Sequence, residues 1–154
     1  MSDAERGYTI TRVFEAPREL VWRAWTEPDQ FARWWGGAQT RVEDVSMDVQ
    51  PGGSWRATMI LPDGSQIGWS GRFEAVEEPS RLEMTLTDGT GGPDEFELFT
   101  VTLAEVERGT ELTLRQSGGH LSDEEYARAK QGTGTFLDEM AALLADQLKM
   151  RHDT

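Results

Sequence analysis

Hydrophobic and polar residues alternate over several short segments in the middle of the chain. Apolar side chains occupy nearly every second position in residues 54–61, 67–75, 81–87 and 109–116. A period of two with polar residues between is typical of antiparallel strands that have one buried face. Segments rich in Gly, Pro and Asp separate these runs and are typical of hairpin turns. Five such turns predict a meander of six strands, and residues 8–16 add a seventh strand near the N-terminus.

A period of about 3.6 residues predicts helices on both sides of the meander. Residues 17–25 and 27–35 form two short amphipathic helices directly after the first strand. Near the C-terminus, a Ser-x-x-Glu capping box begins a short helix over residues 122–130. We expect the glycines of residues 131–135 (QGTGT) to interrupt it, and a longer helix to follow over residues 135–149. This last helix is the only element long enough to cover the apolar face of one sheet.

Chain length and composition narrow the class of protein. The 154 residues suit one domain, which we expect to span residues 1–154 with an ordered core at about 8–149. The chain has no Cys, so it contains no disulfide. A polar N-terminus and the lack of a long apolar segment predict a cytoplasmic protein without a membrane partner. The formal net charge of −13 argues against nucleic acid as a partner, because phosphate binding requires a positive face.

Several motifs occur in one order along the chain: FEAPRELVWRAWTEPDQFARWWGG, DVQPGGSWR, GWSGRFEAVEEPSRLEMT and GTELTLRQ. Together they resemble the activator-of-Hsp90-ATPase-like family, which belongs to the START/Bet v 1-like superfamily. The resemblance covers roughly residues 8–148. It implies an α+β helix-grip fold, in which a curved seven-stranded antiparallel sheet wraps around a long C-terminal helix, with two short helices after strand 1 and a cavity between sheet and helix. It implies much less about activity, because superfamilies of this kind host many functions.

The tryptophans suggest where such a cavity would lie. Four of the six lie within residues 21–35; we expect Trp25 and Trp34 in the core, and Trp22 and Trp35 partly exposed, with Trp35 near a cavity entrance. The concave face of the sheet and the long helix supply further aromatic and Met side chains, which suit a wall that accepts variable apolar shapes. A plain, well-filled core fits the same residues. The candidate lining residues are Trp35, Trp55, Met59, Trp69, Phe73, Met84, Gln116 and Met140.

Two polar residues are predicted to share inward faces of strands. Gln116 continues the face of Leu112 and Leu114, where a bare amide would cost about 1–3 kcal/mol unless it is paired. Its partner is either a backbone group or water, or else a bound ligand that the amide orients. Relatives often carry His at this point of the last strand, so a relative's ligand does not transfer to this chain. Arg12 is a possible internal polar group that contacts a ligand, with an internal salt bridge as the alternative interpretation.

Sequence motifs for catalysis or for cofactors are few. The two histidines, His120 and His152, lie in no metal-ligand spacing, and the glycines of residues 89–93 do not form a phosphate loop. We therefore expect no metal, no nucleotide and no other cofactor. Neither Arg12 nor Gln116 is a good base at neutral pH, so no catalytic group is assigned.

Three functions remain open at the level of sequence. The first is binding of a small apolar or amphipathic molecule in the cavity. The second is a co-chaperone-like interaction through the outer surface, although we expect a single domain here, whereas eukaryotic activators carry an additional N-terminal domain. The third is an enzyme of the cyclase or hydratase type, which needs an acid or base inside the cavity. A homodimer is also possible.

Overall fold

Seven antiparallel strands form one sheet in the spatial order β1-β7-β6-β5-β4-β3-β2. The strands are β1 (Gly7–Phe14), β2 (Arg41–Met47), β3 (Ser54–Ile60), β4 (Gln66–Glu77), β5 (Arg81–Leu86), β6 (Glu97–Val106) and β7 (Gly109–Ser117). The meander from β2 to β7 has the six strands that the alternating pattern predicts, and β1 closes the order by pairing with β7. The structure is a computed structural model that describes residues 7–37, 40–89, 96–118 and 121–152, with side chains as far as 149.

Three helices complete the fold: α1 (Arg18–Thr26), α2 (Pro28–Trp34) and α3 (Asp123–His152). The first two follow β1 directly, as predicted, and α3 contacts β1, α1 and α2. Register shifts in β2 and β4 mark bulges, which bend strands and increase their twist. A bent antiparallel sheet with a long C-terminal helix against it is the helix-grip fold that the resemblance implies. Among the described residues, no helix is long and apolar enough to cross a membrane.

The C-terminal helix is continuous, and the predicted interruption at residues 131–135 is wrong. Its 30 residues run through Gly132 and Gly134. Each glycine costs a helix about 1 kcal/mol relative to Ala, but packing on both sides of this segment compensates. Tyr126 lies before the glycines and Leu137 after them, and both are buried in the core.

The N-terminal end of α3 has the capping box that the sequence predicts. The Glu125 backbone N–H donates to Ser122 Oγ, and the Ser122 backbone N–H donates to a Glu125 carboxylate oxygen, both at 3.1 Å. The bond from the Ser122 backbone N–H, together with the Ser122 hydroxyl, holds the pKa of the Glu125 carboxyl below its ordinary value. Of the two histidines, His120 lies outside the described residues, and so do the His152 side chain and residues 90–95, which include glycines of the segment 89–93.

Tryptophans connect the short helices to the sheet. Trp25 and Trp34 are buried as predicted, and their rings meet edge to face at 4.7 Å between centroids. The expected partial exposure of Trp22 and Trp35 is wrong, because only 5% and 2% of these residues is accessible. The physical reason is that neither short helix lies on the surface as a simple amphipathic helix: α1 contacts β6, β7 and α3, and α2 contacts β2 and α3.

The core also contains a site where a strand residue must lack a side chain. Gly71 lies opposite Trp55 in the β3–β4 register, and the Trp55 indole N–H donates to the Thr85 carbonyl oxygen at 2.8 Å. A Cβ atom on Gly71 would overlap both the Thr85 oxygen and the indole nitrogen. The glycine therefore allows the Trp55 ring to lie directly against the backbone of β4.

Candidate functional site

A cavity of about 360 Å³ lies between one end of the sheet and α3. The sheet side of its wall includes Trp69, Leu86, Thr87, Asp88, Phe99 and Gln116. The helix side includes Leu121, Ala129, Gly132, Thr133 and Phe136. Trp35, at the end of α2, contributes to the wall between these two sides, and Phe96 and Glu97 complete it where β6 begins. Its position between sheet and C-terminal helix agrees with the position that the resemblance implies.

Aromatic rings form much of this wall. The Trp35 ring centroid is 5.2 Å from that of Phe136, 5.9 Å from that of Trp69 and 6.0 Å from that of Phe99. Trp35 is thus an inner wall residue at the centre of the aromatic group rather than the edge of an entrance. Phe96 and Asp88 are the exposed members of the lining, and 43% of Phe96 is accessible.

A chain of hydrogen bonds crosses the polar part of the cavity wall. Gln116 is only 6% exposed, and its Oε1 accepts from the Tyr8 hydroxyl at 2.6 Å. Gln116 Nε2 donates to a Glu97 carboxylate oxygen at 3.0 Å. On the helix side, Thr133 Oγ1 lies 2.7 Å from the Tyr8 oxygen. Because the Tyr8 hydroxyl donates its hydrogen bond to Gln116, Thr133 must donate to Tyr8. The chain of hydrogen bonds therefore runs from α3 through β1 to β7 and β6. Gln116 therefore has side-chain partners within the protein, where the sequence left backbone, water or a ligand open.

Burial of Tyr8 affects its acidity. Desolvation raises the pKa of the Tyr8 hydroxyl from 10.0 to about 12, and the negative charge of Glu97 acts in the same direction. The hydrogen bond with Thr133 opposes this increase, because it also stabilises the ionised form. The hydroxyl is consequently neutral at physiological pH and serves as a hydrogen-bond donor.

Two tryptophans of the wall carry indole N–H groups without a protein acceptor. Within the described ranges, the buried Nε1 atoms of Trp35 and Trp69 have no hydrogen-bond partner. By contrast, the Trp34 Nε1 donates to a carbonyl oxygen of α1 at 2.7 Å, and Trp55 is paired as described above. A buried donor without a partner costs about 1–3 kcal/mol, and because both nitrogen atoms are closed to solvent, an acceptor on a bound molecule would reach them only after the rings shift.

Ionisable groups of one sign lie on the cavity wall. The lining residues that the structure describes include the carboxylates Asp88 and Glu97, and no Lys, Arg or His. Over the same part of the chain, no group of three or more His, Asp or Glu side chains is placed to hold a metal ion.

Five residues that were predicted to line the cavity do not contact it. Trp55, Met59, Phe73, Met84 and Met140 are at most 5% exposed, are absent from the wall, and belong to the packed core. The expectation that they line this cavity is therefore corrected. The reason is that the cavity lies between α3 and the ends of β5, β6 and β7, whereas α2 contacts the edge strand β2 and the rings of Phe31 and Trp35 pack against Trp55.

The remaining predicted positions separate into two groups. Trp35, Trp69 and Gln116 are brought together at the cavity. Arg12 is not part of it, because its guanidinium binds the Asp138 carboxylate of α3 at 2.7 Å, where the two side chains are 30% and 70% exposed. Arg12 does form a salt bridge, but the pair is not internal, and it connects β1 to α3 at the surface outside the cavity.

Glu97 is a residue of the wall that the sequence-based predictions do not include. A signal for it was present: Glu97 precedes Phe99, Val101 and Leu103 at intervals of two, so it shares their inward face just as Gln116 shares that of Leu114. Thr133 and Gly132 were also missed, because the predicted break in the helix removed them from any regular face.

Comparisons with known proteins place these features in context. The family model described as "Activator of Hsp90 ATPase homolog 1-like protein" matches residues 15–145. A solved structure from Nitrosomonas europaea is similar over 96% of this chain and 99% of its own, with 25% identity and a TM-score of 0.81. Another, from Chromobacterium violaceum, has 25% identity and a TM-score of 0.80 over 90% and 96% of the two chains.

A third structure, of an AHSA1-like protein from Aeromonas hydrophila, covers 89% of this chain and 93% of its own. Its identity is 25% and its TM-score is 0.73. The comparison with curated proteins finds no match.

Proposed function

The chain belongs to the activator of Hsp90 ATPase homolog 1-like family, and from this starting point we propose that it binds a small apolar or amphipathic molecule in the cavity beside α3. The observation that carries the proposal is the cavity itself. Its volume of about 360 Å³ lies above roughly 300 Å³, the lower end for ligand sites. Its wall combines aromatic rings with a few hydrogen-bonding groups, which is the usual composition of such sites.

The distribution of polar groups favours an amphipathic molecule over a purely apolar one. The carboxylates of Asp88 and Glu97 and the amide of Gln116 belong to residues of one wall, beside the rings that would cover an apolar body. A hydrocarbon would remove water from the Glu97 carboxylate without replacing it, whereas a molecule with one polar end can bind there.

Two glycines of α3 provide a matched pair of variants for the test. A Cβ atom at Gly132 or at Gly134 would meet no other atom within 4 Å, so both positions accept a side chain. Gly132 lines the cavity and Gly134 does not. In Gly132→Leu the new side chain would occupy cavity volume, whereas Gly134→Leu adds the same side chain to the same helix two residues away.

Binding is measured by saturable quenching of tryptophan fluorescence with an apolar, environment-sensitive dye, followed by competition with a broad library of small molecules. We expect saturable binding to the wild type, at least about tenfold weaker binding to Gly132→Leu, and unchanged binding to Gly134→Leu. Native mass spectrometry of the freshly purified protein tests for a molecule that co-purifies. If no compound binds saturably, the aromatic wall is packing alone and the proposal fails.

The other expectations from the sequence remain predictions. They comprise the cytoplasmic location, a homodimer, a co-chaperone-like partner and a cyclase- or hydratase-type reaction. Glu97 bears on the last of these, because a carboxylate in the cavity wall is the kind of group that such chemistry would need. Fractionation of cells and sedimentation of the purified protein test the first two.

A further inference from the structure

We propose that the polar end of the ligand is a protonated amine, so that the cavity selects amphipathic organic cations. This inference rests on the proposed function and specifies its ligand class. Three features carry it: the sign of the charge on the wall, the fixed position of one carboxylate, and the aromatic rings beside the carboxylates.

The first feature is charge. The described part of the cavity wall contains the half-buried carboxylate of Glu97 and the exposed carboxylate of Asp88, and no cationic side chain. The protein as a whole has a formal net charge of −13, so its long-range field attracts cations and repels anions. A cationic ligand is favoured both during approach and in the cavity, where charges are less well screened than in bulk water.

The second feature is the orientation of Glu97. This residue is half-buried at the start of β6, and one of its carboxylate oxygens accepts from Gln116 Nε2 at 3.0 Å. Gln116 is held in turn by Tyr8, so the carboxylate is anchored through a buried chain of hydrogen bonds rather than by a mobile contact. Because the carboxylate is positioned before binding, an ammonium group would lose little free energy in ordering it.

The third feature is the position of aromatic rings beside the charges. The isolated bridge between Ser70 and Thr87 continues the β4–β5 register, which places Trp69 opposite Asp88 in the neighbouring segment. The Trp35 ring lies perpendicular to that of Trp69, with 5.9 Å between centroids. Aromatic faces attract cations by about 0.5–2 kcal/mol, and Trp is the strongest of them. Aromatic rings and carboxylates on one wall therefore suit an amine that is attached to an apolar body.

The alternative ligand is an anion that uses the indole N–H groups. After a shift of either ring, the unpaired Nε1 atom of Trp35 or Trp69 could donate to a carboxylate, and this is the strongest argument for a fatty-acid-like ligand. Such a ligand would bring its charge into the same cavity as Asp88 and Glu97 without a cationic side chain among the described lining residues. Two neutral N–H donors do not offset the repulsion between an anionic ligand and the two carboxylates. A hydroxyl or ether oxygen can accept from the same donors without that repulsion.

The test compares three compounds that share one alkyl chain: decylamine, decanol and decanoate. Each compound is added to the wild-type protein with its bound apolar dye, at concentrations below the aggregation threshold of that compound, and displacement of the dye is measured. We expect the amine to bind about tenfold more tightly than the alcohol, and decanoate to bind most weakly. Added salt should weaken the binding of the amine and leave that of the alcohol nearly unchanged.

A matched pair of variants tests the role of Glu97. Glu97→Gln keeps an oxygen that can accept from Gln116 but removes the charge, and Glu107→Gln removes one charge in the β6–β7 turn, at the far end of β6. We expect Glu97→Gln to weaken amine binding about tenfold and leave decanol unchanged, and Glu107→Gln to change neither. Asp88→Asn provides a second variant if melting curves show that Glu97→Gln is not folded.

The outcomes separate the inference from the function on which it rests. If decanol binds and decylamine binds no better, the protein is a ligand binder but the cationic preference is wrong. Tighter binding of decanoate would overturn the inference in favour of the indole donors. If none of the three displaces the dye and no library compound binds, both the proposed function and the inference fail.

Discussion

The buried hydroxyl of Tyr8 should make the stability of the fold decrease at alkaline pH. Its pKa is about 12 in the folded protein and 10.0 is its ordinary value, so the folded state holds this proton more tightly than the unfolded state does. A group of this kind contributes stability that is fully present below the unfolded pKa and is lost as pH rises through the folded one. The window of the effect therefore lies between about pH 10 and pH 12.

The magnitude follows from the size of the pKa difference. One pKa unit corresponds to about 1.36 kcal/mol, so a rise from 10.0 to about 12 corresponds to at most about 3 kcal/mol of unfolding free energy. Tyr8 is only 7% exposed, so solvent screening reduces this value little. Tyr8→Phe removes the hydroxyl that bonds both Gln116 and Thr133, and should cost about 1–3 kcal/mol at neutral pH.

Comparison of the wild type with Tyr8→Phe isolates this contribution, because every other titrating group is common to both. Unfolding by urea, followed by circular dichroism at several pH values, gives the two stability curves. We expect the wild type to be more stable at neutral pH and the two curves to converge between pH 10 and pH 12. Parallel curves across that window would refute the reasoning, since Tyr8 would then titrate alike in both states.

A spectroscopic measurement gives an independent value. The chain has two tyrosines, so Tyr126→Phe leaves Tyr8 as the only source of a tyrosinate absorption band. The midpoint of that band in the folded variant should lie near 12, compared with 10.0 in denaturant. A folded midpoint near the ordinary value would show that the hydroxyl is not buried as described.

Three further predictions concern the C-terminal helix and its contacts. Met140→Asp should unfold the protein, because Met140 is fully buried and the new charge would have no partner. The control Met140→Leu should cost less than about 1.5 kcal/mol. A near-wild-type melting temperature for the Asp variant would contradict the packing of α3. Gly134→Ala should raise the melting temperature by about 2–4 °C, because its Cβ meets open space and helix propensity improves by about 1 kcal/mol. Arg12→Ala should cost no more than about 1 kcal/mol through lost pairing, which a double-mutant cycle with Asp138→Asn measures.

The strand pattern could be predicted from sequence because the period of two reports directly which face of a strand is buried. Leu112, Leu114 and Gln116 alternate along β7, and all three are buried on one face. The helix boundary near residue 131 could not be predicted in the same way. Helix propensity describes an isolated segment, whereas Leu137 and Tyr126 stabilise the helix through tertiary packing on either side of its glycines.

The location of the cavity could be predicted only in outline. The resemblance implied a space between the sheet and the last helix, but the alternating pattern does not distinguish an inward residue that faces this space from one that faces another element. Trp55 and Trp69 illustrate the difference, because both point to the same side of the sheet. The indole of the first reaches a carbonyl in the core, and the second lines the cavity. That difference depends on where α2 lies over the sheet, which no local pattern encodes.

The helical wall of the cavity has no side chain at Gly132, and this links the size of the ligand to the thermal stability of the protein. An alanine there would occupy part of the space available to a ligand and would also favour the helix by about 1 kcal/mol. Ligand size and heat resistance therefore change in opposite directions at a single position. A laboratory selection for survival of heating would narrow the cavity without altering one aromatic residue, and variants selected for larger ligands would keep the glycine and melt earlier.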